Sequence, residues 1–405
     1  MNQSAPEPAT AGDRAHDRAS DKTNDKASDR KLFKEWFDRD AATQLAHQMS
    51  RGMSAFDQPG FIAEAARDLD TLEMGARVSQ FSTALRHYLP DSIPEALAII
   101  RAGLPPLLPE GDGVTEGWLQ WPVGQFIADY GVPHFEESMA TMLELTQRFT
   151  AEFAVRPFMA ERQAETLAYL SELTEHDSEH VRRWCSEGIR PLLPWGKKLT
   201  ALVNDPTPIL PILDALKADE SLYVRKSVAN AFNDIAKHHP EVVLEVLATW
   251  QQSVKKAPQT EQDRRDWVTR HALRTLIKQG DTDALSLVGY APPVALVSTL
   301  SCSPKQVTVG EAVHLDAVLR NESAKSQQLM IDFAVHYVRQ GGKTRDKVFK
   351  WTTLELAAGE SRVLAKKVSM KATTIRALYD GEHSVDLQIN GQRTASTTFT
   401  LRVLK

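Results

Sequence analysis

The sequence predicts a mainly α chain in two folded parts, a solenoid of stacked helix pairs followed by an all-β sandwich. Three observations predict it: apolar residues at helical spacing from Leu32 to about Leu287, a recurrence of 43 and 44 residues inside that stretch, and a switch to two-residue alternation after Pro293. With 405 residues, 42% of them hydrophobic and 25% charged, the chain can bury two or three cores. No apolar run reaches the roughly 18 residues that a membrane helix needs, so the expectation is no membrane partner. The two cysteines, Cys185 and Cys302, lie far apart, and the N-terminus lacks the apolar core of a signal peptide. A reducing, cytoplasmic setting follows as an expectation.

Residues 1–30 come first. They carry no large apolar side chain after Met1, and an Asp-Arg or Asp-Lys step recurs every four residues from Asp13-Arg14 to Asp29-Arg30. Such a segment cannot bury enough surface to offset its chain entropy, and a disordered polar tail is expected.

Residues 31–290 read as helix punctuated by proline and glycine, notably Leu104-Pro105-Pro106, Pro191, Pro194, Pro206, Pro240 and Gly280. The segments His180-Val181-Arg182-Arg183, Tyr223-Val224-Arg225-Lys226 and Trp267-Val268-Thr269-Arg270 are each expected to open a helix, and each follows another helical stretch. Their spacing falls inside the ~40–47 residue period of HEAT-like helix pairs, which stack so that equivalent positions form columns along one wall. One column holds Arg183, Lys226 and Arg270; a second, four residues on, holds Glu187, Asn230 and Arg274. Arg190 and Asn233 follow, with Asp234 and Lys278 beside them, while Val224, Val228, Ala231, Phe232 and Ile235 form the opposite, apolar face. A repeated cation flanked by amides and carboxylates suits a row of phosphates, so a nucleic-acid partner is expected.

Residues 293–405 alternate as strands at Val307-Thr308-Val309, 313–319, 331–337, 385–389 and 399–403, separated by turn signals such as Gly341-Gly342 and Asn390-Gly391. About 110 residues of this pattern suggest an immunoglobulin-like β-sandwich domain without its disulfide. The net charge of −5 is unevenly divided: this part carries 16 basic and 10 acidic residues, leaving the acidic excess to residues 1–292. The basic balance suggests that the sandwich also meets the polyanion.

Three stretches then become familiar: Phe149-Thr150-Ala151-Glu152-Phe153-Ala154-Val155-Arg156-Pro157-Phe158, His180 to Trp195, and Ser227 to Pro240. Together they resemble the AlkC subfamily of HEAT-repeat DNA alkylation-repair glycosylases over roughly residues 32–290, and some members of that subfamily carry an appended immunoglobulin-like domain. The resemblance implies a monofunctional glycosylase that excises N3-methylated bases, 3-methyladenine and also 3-methylcytosine, from double-stranded DNA. It also implies catalysis without full base flipping; a monomer is expected. The AlkD-like relatives use a carboxylate flanked by tryptophans. Glu152 would supply the carboxylate here, whereas the position of one tryptophan is Asn230, so Trp184, Trp195 or Trp121 would supply the aromatic face.

The chemistry fits those residue types. Methylation at N3 makes the base a cationic leaving group, so the task is to stabilise an oxocarbenium-like sugar and to orient water. Glu152 is the leading candidate, with Arg156 four residues on to hold it ionised; Glu187 is its rival, Asp234 the third carboxylate, and Trp184 the candidate aromatic in the set. Arg156, Arg183, Arg190, Lys226, Asn230, Asn233, Asp234, Arg270, His271 and Arg274 are the expected DNA contacts. His176 and His180, with Glu179 between them, lack an evident third metal ligand. No phosphate-cradling glycine loop is present, so neither a metal nor any cofactor is expected. The competing reading is a non-catalytic HEAT-repeat scaffold that binds DNA or a protein.

Overall fold

The structure is a computed structural model that describes residues 32–111, 117–254, 257–372 and 377–403. The expected N-terminal tail, residues 1–30, lies outside them. Helices occupy the chain from Arg39 to Leu287 and eight strands follow from Leu296 to Arg402. No described helix is long and apolar enough to cross a membrane.

The recurring motifs lie on helices Glu179–Glu187, Leu222–Ile235 and Gln259–Ala272. The first packs on the second and the second on the third, forming one wall. The partner helices Gln163–Glu172, Leu210–Ala215 and Pro240–Val254 precede them in turn. Val181, Val224 and Val268 occupy equivalent, fully buried positions, and Val228, Ala231 and Phe232 are buried with them. The wall is thus held by apolar contact between repeats, about 1.5–3 kcal/mol for each large side chain.

Two expectations of regularity fail. Trp267 does not open its helix; it lies within Gln259–Ala272, which breaks at Leu273 before Arg274–Gln279 begins. The helix Glu179–Glu187 ends at Gly188, so Arg190 sits on the turn beyond it. Local chain breaks therefore interrupt columns that constant helical spacing would continue.

The C-terminal part is a two-sheet sandwich. Strands β1 (Leu296–Ser303), β2 (Gln306–Thr308), β3 (Ala312–Asn321), β4 (Gln327–Val338), β5 (Thr344–Leu356), β6 (Ser361–Ser369), β7 (Gly381–Ile389) and β8 (Gln392–Arg402) form sheets β1-β3-β6 and β2-β8-β7-β4-β5. In β3, Val313, Leu315, Ala317 and Leu319 point inward and the residues between them outward. Strands β1, β5 and β6 were not anticipated, because charged or exposed apolar residues blur their alternation. Cys185 and Cys302 are both buried and unpaired.

The Asn390-Gly391 turn joins β7 to β8 and meets the last helical repeat. Both residues have positive φ, 44° and 80°, as a two-residue hairpin turn requires. A Cβ on Gly391 would lie 2.6 Å from the Gly280 carbonyl oxygen, so glycine is needed for the backbones to approach. Asn390 Nδ2 donates to the Ala291 carbonyl at 2.7 Å, and Gln388 Nε2 to the Lys278 carbonyl at 3.4 Å. These contacts join the sandwich to the solenoid.

Candidate active site

A cleft of about 500 Å³ opens on the helical part, lined mostly by rings: Phe33, Trp36, Trp118, Trp121, Phe149, Phe153 and Trp195. Distant segments bring them together. Phe33 and Trp36 come from a 3-10 turn, Phe33–Trp36, and Trp118 from another, Trp118–Gln120. Gly117 allows the second: its φ is +72°, and a Cβ there would meet the Arg148 carbonyl oxygen at 1.9 Å. Trp121 lies between two rings, with Phe153 stacked at 5.3 Å and Trp195 at 6.4 Å. Trp195 is 84% exposed and has a φ of +63°, a left-handed conformation that non-glycine residues rarely adopt.

The polar side chains lining this cleft are Thr150, Glu152 and Glu187. Glu152 lies in the turn before helix Arg156–Glu161 and accepts a hydrogen bond from the Thr150 hydroxyl at 2.8 Å. Arg183 bridges the carboxylates, with Nη1 2.8 Å from Glu152 and Nη2 3.5 Å from Glu187. Arg190 continues the chain, 2.7 Å from Glu187 and 2.9 Å from Asp234, and Lys237 closes it 3.0 Å from Asp234. Charges alternate along the whole series, which is how buried ions keep partners. Burial pushes the Glu187 carboxyl up, but the Arg183 and Arg190 guanidinium groups and the Ser227 hydroxyl outweigh it and hold the group below its ordinary value. Burial alone would lower Arg183, yet the two glutamates raise it above the usual arginine value. The cleft thus presents the Glu152 and Glu187 carboxylates beneath π faces while their paired cations lie outside the lining, an arrangement suited to a flat cation.

The structure revises several expected roles. Trp184 is fully buried in the core; its indole presents no face to the cleft, whereas Trp121 and Trp195 do. Arg156 is not the cation paired with Glu152; Arg183 is. Arg156 is 2% exposed and donates to the carbonyls of Gly188, Arg190 and Lys197. Burial, then the Arg190 charge, lowers it to about 10. Arg190 and Asp234 are buried against each other, and Asn233 donates to the Ala272 carbonyl and the Thr275 hydroxyl. None of these four offers a free group to a phosphate, because internal partners occupy it.

Other members of the expected row remain at the surface. Lys226 and Arg270 are exposed. Asn230 accepts from Arg274 Nη2 at 2.9 Å, across neighbouring repeats. His271 stacks on Trp267 at 4.9 Å, and a groove of about 390 Å³ runs past both, Arg270 and Arg274. Burial, Arg274 and Lys226 lower His271 to about 4, so it is neutral at pH 7. The histidines considered for a metal serve the fold: His176 Nδ1 accepts from the Ser178 amide, and His180 Nε2 contacts the Pro109 carbonyl at 3.2 Å.

The sequence reading missed Phe33, Trp36 and Trp118 as cleft residues. One signal was present: four of the eight tryptophans lie in this cleft, all of them outside the recurring motifs.

Comparison with known proteins accounts for both parts. Residues 148–276 match the family model described as DNA alkylation repair enzyme, and residues 296–403 match that of the C-terminal Ig-like domain of uncharacterised protein YhaZ. Uncharacterized protein YhaZ of Bacillus subtilis (strain 168) is 36% identical over 368 residues, covering 90% of this chain and 98% of its own. The solved structure of Pseudomonas fluorescens alkylpurine DNA glycosylase AlkC, bound to DNA containing an abasic site analog, aligns with a TM-score of 0.81 and 35% identity. That alignment covers 92% of this chain and all of the other. The chain belongs to the AlkC subfamily of the HEAT-repeat DNA alkylation-repair glycosylases.

Proposed function

We propose that the protein is a monofunctional DNA N-glycosylase that removes N3-methylated bases, 3-methyladenine and 3-methylcytosine, from duplex DNA without extruding them fully. The observation that carries this reading is the ring-lined cleft with Glu152 and Glu187 bridged by Arg183 at its floor. An N3-methylated base is already cationic and leaves without a proton donor. As the glycosidic bond lengthens, positive charge grows on the deoxyribose; the carboxylates stabilise it, and one of them orients the attacking water. No lysine lines the cleft among the described residues, which supports hydrolysis over an amine-linked intermediate and leaves an abasic site.

The shape supports approach from outside the helix. The cleft is open, and among the described residues its lining offers no amide side chain to read a base edge, so selection rests on the positive charge of the base. Exposed Lys226 and Arg270, with Arg274, Asn230 and His271, supply the DNA contacts in this reading. The enzyme binds alkylated double-stranded DNA as a monomer and uses neither metal nor organic cofactor.

Release of 3-methyladenine and 3-methylcytosine from methylated duplex tests the proposal. Glu152→Gln should lower single-turnover excision by about 10²–10³-fold while DNA affinity holds. Full activity in that variant with loss in Glu187→Gln would transfer the central role to Glu187. Binding without base release above the spontaneous rate would leave a scaffold instead of an enzyme.

A further inference from the structure

Arg183 must hold two carboxylates at once, and its own hydrogen bonds do not account for its orientation. Nη1 meets Glu152 at 2.8 Å and the Thr150 hydroxyl at 3.4 Å, while Nη2 reaches Glu187 only at 3.5 Å. Ion-pair distances of this kind fix how near the guanidinium lies to each carboxylate, not the tilt of its plane. One face is covered from the next repeat: the Tyr223 ring lies 4.7 Å from Arg183 Cζ. Tyr223 is itself braced. Its backbone amide donates to the Ser221 hydroxyl at 3.2 Å, and the His180 ring meets it edge-on at 5.9 Å. Ser221 is in turn tied to Glu179, whose carboxylate also accepts from the Gly111 amide at 2.6 Å.

We infer that Tyr223 is a positioning residue for excision, its ring face pinning Arg183 so that one guanidinium serves Glu152 and Glu187 together. This rests on the proposed role of those carboxylates. A guanidinium over a ring is attracted to its π face and shielded from water on that side. Released from the ring, Arg183 can settle on Glu152 alone, because that contact is the shorter. Glu187 would then keep Arg190 and the Ser227 hydroxyl but lose one of its two cations, and its carboxyl would take up a proton more readily. The remaining charged neighbours do not substitute. Asp234, paired with Arg190, and Glu179, which acts on the Tyr223 phenol, are both anions. His180 holds the ring through its edge. The phenol stays protonated, because burial and then Glu152 and Glu187 push it above its ordinary value against the pull of Arg183. The ring face, not the hydroxyl, carries the effect.

The test is single-turnover excision of 3-methyladenine by the full chain across pH 4–9, in Tyr223→Leu and Tyr223→Phe, with DNA affinity and thermal unfolding measured on each. Tyr223→Leu should lose about tenfold in rate, with unchanged DNA affinity and an acidic limb moved up by about half a pH unit. Tyr223→Phe should restore both rate and limb. Equal losses in the two variants would overturn the ring-face role, as would a Leu variant with lowered unfolding temperature but wild-type rate and pH profile. If Leu fails to fold, the Phe profile still decides, since a displaced limb there contradicts the inference. Glu152→Gln and Glu187→Gln run alongside separate the two levels. Full activity in both removes the proposed site itself, whereas inactive glutamine variants beside an unaffected Tyr223→Leu remove only the role of Tyr223.

Discussion

At the residue scale the cleft depends on charges that burial opposes and neighbours rescue. Glu187 is held below its ordinary value despite its burial, so it favours the folded state above the unfolded carboxylate pKa, and that contribution disappears as pH falls through the lower folded value. Stability should therefore fall as the pH drops below about 4.5, and less steeply in Glu187→Gln compared with its own neutral-pH value; urea unfolding at pH 3–7 measures both slopes. Trp195 pays for its place on the cleft lip with a left-handed backbone. Trp195→Gly should relieve about 1 kcal/mol of strain at little packing cost, the side chain being exposed, and yet slow excision. Calorimetry beside the base-release assay distinguishes the opposing signs. Glu152 and Glu187 were legible as chemistry-bearing residues, but their shared partner was not: Arg156 is closer in sequence to Glu152, and only the turn before helix Arg156–Glu161 brings Arg183 nearer instead.

At the element scale, the repeat was readable because apolar spacing records packing, and Val181, Val224 and Val268 occupy the equivalent places expected of them. Where the elements end was not readable. Glu187, Asn230 and Arg274 look equivalent in sequence, yet the first helix stops at Gly188 and the third breaks at Leu273, so one column holds a cleft-floor carboxylate and two surface groups. The segment 188–198 shows what such a break allows. It leaves the helix, turns across the cleft and is anchored by Arg156 through the carbonyls of Gly188, Arg190 and Lys197. Arg156→Met should cost about 3–5 kcal/mol, since buried carbonyls lose charged donors together. Thermal unfolding checks the stability, and faster proteolysis at Lys197 or Lys198 checks that the segment has come loose.

At the scale of the whole molecule, the change from period 3.6 to period 2 near Pro293 revealed two architectures, but not how they meet. That depends on Gly280 and Gly391, each ordinary in isolation, whose backbones lie too close for any side chain. Gly391→Ala meets both a carbonyl and a positive φ, so it should loosen the joint while leaving both cores folded. Small-angle scattering would then show a larger radius of gyration without loss of helical circular dichroism. An unchanged radius would mean that the Asn390 and Gln388 contacts suffice to hold the parts together.

The alternating series Glu152, Arg183, Glu187, Arg190, Asp234 also constrains how such a protein can evolve. Removing one link strands a buried charge at a cost of about 3–5 kcal/mol, a large share of the 5–15 kcal/mol by which folded proteins are stable. Most single steps through this series are thus closed, and its members are inherited as a block. The rings above it carry no such obligation: Phe33 and Trp195 are exposed and can be exchanged one at a time. Divergence among descendants should therefore alter the shape of the cleft long before it alters the charges beneath.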